Sequence, residues 1–378
     1  MICPLFGLRP HHLTDPLPFP GHLTIDLSAL AGNWQAAKEA SGAATASAVV
    51  KADGYGLGVV PVVEALYQAG CRTFFVALAS EGLAVRKALP DADIYILNGI
   101  MNGTASAMVE ADLVPVLNDL TQISLWKGCC DAADRSLPAA LMLDTGMSRL
   151  GLDADQVAVA GSNPEVLGNL SLKLVMSHLA CADDASSDMN ARQRASFDTL
   201  RARLPDAPAS LANSAGIFLG PDYHYDLTRP GICLYGASPF AAAPAPFAPV
   251  IGATAEIIQV RDVKAGDTIG YGATYKASRA MRTATIAAGY ADGIFRTAGN
   301  SAMAAINGTL VPYVGRVSMD LIALDISALD SVSVKAGDVV ELLGSTVSVD
   351  DLAQATGTIG YEVLTSLGSR YERRYITW

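Results

Sequence analysis

Ser47 to Gly58 reads S-A-V-V-K-A-D-G-Y-G-L-G. The run Ala48-Val49-Val50 is short and apolar, which predicts a buried strand. It stops at a single lysine, Lys51, and Gly54, Gly56 and Gly58 then surround Tyr55 in a glycine-rich turn. Val59 to Ala69 reads as a helix, with Val62, Val63, Leu66 and Ala69 on one stripe and Gly70 as the stop. Lys51 is therefore expected at the C-terminal end of a strand, at the mouth of a βα loop. Partial burial there lowers an amine's pKa, and a neutral amine attacks a carbonyl to form a Schiff base. The plain alternative is a surface lysine at a strand end, and the local pattern alone does not separate the two.

Outward from this stretch, strand and helix alternate with a steady period. Expected strands are Leu23–Asp26, Ala48–Lys51, Thr73–Leu78, Ile94–Asn98, Val114–Asn118, Ala140–Asp144, Leu172–His178, Ser210–Asn213 and Ile232–Tyr235. Helical stretches between them include Ser80–Leu89, Leu120–Lys127 and Asn190–Leu204. Repeated βα units imply a parallel sheet. About eight units over ~220 residues fit a (β/α)8 barrel of the TIM type, spanning residues 21–245. Nine candidates for eight places leave one strand over. Lys51, Asp144, His178, Asn213 with Ser214, and Arg229 all fall near expected strand ends, the face that carries chemistry in such barrels. Each alone is equally readable as a cap or a satisfied core group.

Ala241 to Pro249, A-A-A-P-A-P-F-A-P, is a proline-stiffened, uncharged linker and the expected domain boundary. Beyond it, residues 250–378 read as a mostly β domain. Ala253–Val260 alternates apolar and polar, and Asn307-Gly308 is a two-residue hairpin signal within Met303–Val314. V-K-A-G-D occurs at 263–267 and 334–338, which reads as one tight turn used twice. Residues 1–20 read as an arm, and its His11-His12 pair is a poor chelator by itself.

With 378 residues, 51% of them hydrophobic and 17% charged, there is material for a barrel plus a smaller unit. A net charge of −11 argues against nucleic acid or an anionic membrane as partner. The six cysteines are scattered without a C-x-x-C pair and read as reduced thiols. No targeting segment or spanning apolar run is evident, so a cytoplasmic location is expected.

Nine motifs now resemble the alanine racemases, pyridoxal-phosphate enzymes with a (β/α)8 barrel followed by a β domain. They are V-V-K-A-D-G-Y-G at 49–56, D-T-G-M-S-R-L-G at 144–151, S-H-L-A at 177–180, N-S-A at 213–215 and T-R-P-G-I-C-L-Y-G at 228–236. G-Y-G-A-T-Y at 270–275, G-Y-A-D-G at 289–293, G-R-V-S-M-D at 315–320 and I-G-Y-E-V at 359–363 complete the series in the family's order. The resemblance covers residues 21–378 and implies a racemase that interconverts L- and D-alanine with pyridoxal 5'-phosphate as cofactor.

By that resemblance, Lys51 holds the cofactor and serves as one base, and Tyr271 is the second base on the opposite face. In the family this tyrosine comes from the other subunit of a homodimer, which makes each site composite. The family's phosphate ligands correspond to Tyr55, Ser214 and the backbone N–H groups of Gly231 and Ile232. Arg229 matches the residue facing the pyridine nitrogen. Because an arginine keeps its proton, that nitrogen would stay unprotonated and the ring would be a weaker electron sink. Arg149 and Met319 match residues beside the cofactor's phenolic oxygen and the substrate carboxylate. Tyr290 and Tyr361 match two tyrosines that narrow the entrance, which favours a small amino acid. A tyrosinate near neutral pH needs roughly 3–4 kcal/mol of help, and His178 and Arg229 are the expected source of positive charge.

Three positions depart from the family pattern. Met142 stands where many members carry a carbamylated lysine, so Arg149 needs another partner, a bound chloride or a nearby carboxylate. Leu57 replaces a common histidine, and Ser318 a frequent cysteine. The ending G-S-R-Y-E-R-R-Y matches only loosely, and Arg370 receives no role. The rival readings are a broad-specificity or serine racemase of the same fold, a basic amino-acid decarboxylase, and a non-catalytic carrier of the cofactor.

Overall fold

The computed structural model describes residues 21–240, 246–329 and 334–377. The expected arm of residues 1–20 lies outside them, as do residues 241–245 of the linker. Seven parallel strands run in sequence order: Ala48–Val49, Thr73–Val76, Asp93–Ile96, Val114–Leu117, Pro138–Met142, Ser171–Met176 and Ala209–Ser210. Their residues are apolar almost without a break, because a parallel sheet wrapped in helices is buried on both faces. Phe74, Phe75, Val76, Val116, Leu117 and Met176 have no exposure.

The ring closes through an eighth strand, Leu227–Thr228, which pairs in parallel with Thr45–Ala46 just before the first strand. An Asn213–Arg229 bridge joins it to the seventh strand. Hydrogen bonds from Ser47 N–H to Thr228 O at 3.0 Å and from Val49 N–H to Pro230 O at 2.9 Å complete the seam. The fold is thus a (β/α)8 barrel with a mostly β unit after it.

Two expected strands are corrected. Leu23–Asp26 lies in a strand, Gly21–Asp26, but outside the barrel. It pairs antiparallel with Ile251–Val263 and parallel with Glu372–Ile376. Its alternating burial, with Leu23 and Ile25 inside, suits a sheet packed on one face. Ile232–Tyr235 is a 3-10 turn, set off by Gly231 and stopped at Gly236 with φ of 80°. The helices fall close to expectation, at Val59–Gln68, Ala79–Ala88, Leu120–Ala133 and Asp188–Arg201.

In the second unit Ile251–Val263 is the long central strand. It pairs with Gly21–Asp26 and Val339–Leu343, and its far half with Met281–Ile286. Met303–Ile306 and Thr309–Pro312 form the expected hairpin, with Asn307 and Gly308 at φ of 50° and 76°. Both V-K-A-G-D copies make one turn: Asp267 accepts from Lys264 N–H at 3.1 Å and Asp338 from Lys335 N–H at 2.9 Å. Two helices, Val349–Thr356 and Gly360–Ser366, also lie here, and the second carries Tyr361.

Candidate active site

Lys51 follows the first barrel strand, as its sequence predicts, but the turn after it is left-handed. Ala52, Asp53, Gly54 and Tyr55 all have φ between 54° and 63°, and Gly56 has 84°. Non-glycine residues resist this region by roughly 1–2 kcal/mol each, so the surroundings must hold it. Glu81 does so from the first turn of the helix Ala79–Ala88: its carboxylate accepts Ala52 N–H at 2.7 Å, Ala77 N–H at 2.8 Å and Leu78 N–H at 3.1 Å. Asp53 accepts Val59 N–H at 2.7 Å and so starts the following helix. From the C-terminal strand, Arg373 donates to Gly56 O at 3.1 Å and Tyr375 to Leu57 O at 2.8 Å. Gly58 favours glycine through its φ of 96°, and Tyr375 Oη lies only 2.3 Å from where a Cβ would stand.

A cavity of about 1330 Å³ opens at the C-terminal ends of the barrel strands. Lys51, Met142, Arg149, His178 and Tyr361 all line it. Burial lowers the Lys51 pKa, and the positive charge of Arg149 lowers it further, against a smaller opposing pull from Glu81. The D-T-G-M-S-R-L-G loop is held by Asp144, which accepts Gly146 N–H at 2.9 Å and Ser148 N–H at 3.0 Å. Asp144 is thus a turn former, and it leaves Arg149 facing the cavity. Among the described residues no carboxylate pairs with Arg149, so the nearby-acid alternative is not realised there.

Burial and then Arg229, Arg149 and Lys51 push the His178 imidazole down to about 3. The expectation that His178 supplies positive charge is therefore corrected: surrounded by cations, it is neutral at physiological pH. Gln193, wholly buried, fixes its backbone by donating to His178 O at 2.9 Å and accepting from Ala180 N–H at 2.8 Å.

Arg229 is 3% exposed. It donates to Ser210 Oγ, to Ser177 O and, at 3.3 Å, to Leu211 O. Burial brings its pKa down to about 9, which keeps it charged near neutral pH. A buried cation facing only neutral acceptors is costly unless a bound acceptor joins it.

Beside it, Ser214 Oγ accepts Gly231 N–H at 2.8 Å, and Ile232 starts the 3-10 turn. A Cβ on Gly231 would stand 2.6 Å from Tyr55 Oη, so bare backbone and a hydroxyl meet there. Tyr55 stacks on Tyr235 at 4.4 Å, and Tyr235 donates to Val49 O at 3.0 Å. This cradle of hydroxyls and N–H groups, an amine of lowered pKa and a buried cation with no acid partner fit a phosphorylated pyridine aldehyde.

The remaining expected residues lie elsewhere. Tyr271, Tyr290 and Met319 do not line the cavity of their own chain and are 70%, 44% and 53% exposed. Tyr271 tops a small hairpin, Thr268–Ile269 with Tyr275–Lys276. Sequence reasoning missed Glu81, Gln193, Arg370, Arg373 and Tyr375. Glu81, three residues into its helix and capping the preceding N–H groups, carried a local signal; the others act across long separations.

The family model for the alanine racemase N-terminal domain matches residues 25–239, and that for the C-terminal domain matches residues 250–375. A protein of Mesorhizobium japonicum named alanine racemase, catabolic, is 48% identical over 94% of this chain and 93% of its own length. The alanine racemase of Brucella abortus is 46% identical over 94% and 93%. The crystal structure of alanine racemase from Bartonella henselae with covalently bound pyridoxal phosphate superposes with a TM-score of 0.91. It is 40% identical, over 95% of this chain and 100% of that one. With both domain models matched and such identity across nearly its whole length, the chain belongs to the alanine racemase family.

Proposed function

We propose that this protein interconverts L- and D-alanine with pyridoxal 5'-phosphate, using Lys51 and Tyr271 as opposed acid–base groups. The observation that carries this reading is an amine of lowered pKa sharing one cavity with Arg149, His178 and Tyr361. When bound, the cofactor supplies an electron sink that acidifies the substrate's α-hydrogen. Lys51 holds the cofactor and moves a proton on one face at its Nζ. Tyr55, Ser214, Gly231 and Ile232 hold the phosphate with hydroxyls and N–H groups. Arg229 would serve as a fixed donor to the ring nitrogen, and neutral His178 lines the same cavity as Lys51. Arg149 binds the substrate carboxylate, and Tyr361 narrows the entrance.

Tyr271 of the partner subunit moves the proton on the other face at its Oη. The exposure of Tyr271, Tyr290 and Met319 supports a homodimer in which each chain completes its partner's site. The narrowed entrance favours alanine over bulkier amino acids, and serine is the nearest competitor. Five free cysteines among the described residues support a reducing, cytoplasmic setting. No described helix is long and apolar enough to cross a membrane.

The test is turnover of L- and D-alanine by Lys51→Ala and Tyr271→Phe proteins. Lys51→Ala should lose activity in both directions together with the bound cofactor's absorbance. Tyr271→Phe should keep that absorbance, lose net racemisation equally in both directions as an equilibrium constant of one requires, and retain exchange of the α-hydrogen with solvent deuterium for one enantiomer only. Equal activity of Lys51→Ala and wild type would overturn the reading.

A further inference from the structure

We infer that Arg370 is a positioning residue, which sets the spacing of Tyr290 and Met319 and through them selects the substrate. The inference rests on the reading above, in which those two side chains complete the partner's site.

Arg370 lies in the loosely matching C-terminal segment, yet its guanidinium joins two distant loops. Nε donates to Asp292 Oδ1 at 2.7 Å and Nη2 to Asp292 Oδ2 at 2.6 Å. Nη1 donates to Asp320 Oδ1 at 2.6 Å. Asp292 is buried, and its Oδ2 also accepts Gly289 N–H at 2.8 Å. One planar fork therefore spans Tyr290–Asp292 on one side and the residue next to Met319 on the other.

The loops themselves interlock. Tyr290 N–H donates to Ser318 O and Ala291 N–H to Met319 O, both at 3.0 Å. Gly368 N–H donates to Asp292 O at 3.2 Å. A Cβ on Gly289 would fall 2.3 Å from Met319 O, and one on Gly293 2.3 Å from Ser366 O. The backbones thus touch at both ends of the Arg370 bridge, with no room for slack. Tyr290 and Met319 are both exposed residues of these two interlocked loops. A shift of one loop changes the gap between them, and that gap is where a methyl or hydroxymethyl side chain would be distinguished. Lysine cannot replace the fork, because an ammonium is a single point charge without the bidentate geometry.

The experiment measures kcat and KM for L-alanine and L-serine in holoenzyme carrying Arg370→Lys, Asp320→Asn, Tyr290→Phe or Met319→Ala. Arg374→Lys, whose partner is the exposed Glu372, serves as control. Cofactor absorbance and dimer mass are recorded on the same samples. Arg370→Lys is expected to raise the KM for alanine about tenfold and to change the serine-to-alanine selectivity, as Met319→Ala does, with kcat less affected. Asp320→Asn removes one leg of the bridge at an exposed position and should shift selectivity in the same direction. A merely structural arginine would reduce the amount of folded dimer without moving KM or selectivity in what remains. If Tyr290→Phe or Met319→Ala shifts selectivity while folded Arg370→Lys and Asp320→Asn do not, the inference is overturned. If none of the four shifts it, the placement of Tyr290 and Met319 at the partner's site fails first, and the inference fails with it.

Discussion

Lys51 and His178 carry opposite consequences of the same cationic cavity. The lowered pKa of Lys51 means that its amine is neutral, and able to capture an aldehyde, at lower pH than an ordinary lysine. In cofactor-free protein, capture of pyridoxal 5'-phosphate should therefore rise with pH and level off below the usual lysine value of about 10.4. Arg149→Met removes the second cause of the lowering and should move the profile to higher pH; an unmoved profile would mean that Arg149 does not act on the amine. His178 titrates near 3 when folded and near its ordinary 6.5 when unfolded. Between those values the unfolded chain binds more protons, so stability is lost as pH falls. In denaturant titrations, His178→Gln should lose less stability than wild type between pH 6 and pH 3. Equal losses would contradict a depressed imidazole. The sequence marked Lys51 and His178 as residues near strand ends and Arg149 by resemblance, but charge crowding depends on which of them face each other. That is why His178 reads as a cation in the sequence and is neutral in the fold.

The element on which the site depends is the left-handed turn from Ala52 to Gly56. Its glycines were legible as a turn, and the helix after it was legible from its stripe. What the sequence did not show is that Ala52, Asp53 and Tyr55 also take positive φ. That conformation is stabilised by Glu81, Arg373 and Tyr375, the last two more than 300 residues away. Asp53 couples the turn to the next helix, so Asp53→Ala should lower unfolding free energy by about 1 kcal/mol, the usual cost of a lost helix cap. It should also weaken cofactor retention on dilution; unchanged stability would show that Val59 N–H is satisfied without it. The two misread strands fail for separate reasons. I-C-L-Y is buried throughout, and an all-apolar tetrapeptide has no period to tell strand from turn. L-T-I-D alternates, which is the mark of a one-sided sheet, and that alternation is the signal that excludes it from the barrel interior.

At the scale of the molecule, the proposed function divides the chemistry between the barrel of one chain and the β unit of its partner. Lys51, Arg149 and His178 meet in the cavity, while Tyr271 stands on an exposed hairpin. The motifs locate both groups along the chain, yet nothing in a linear sequence says which copy of Tyr271 faces which copy of Lys51. The same holds for Arg370, whose partner Asp292 lies 78 residues away. The central claim is that one site is built from two chains, and subunit hybrids test it most directly. Lys51→Ala and Tyr271→Phe proteins, each carrying its own tag, are mixed under subunit exchange, and alanine racemisation is measured in the doubly tagged fraction and in the mixture. In a two-fold dimer each hybrid regains one intact site, so the mixture should recover roughly a quarter of wild-type activity from two nearly inactive parents. Hybrids that form but stay as inactive as their parents would contradict the composite site.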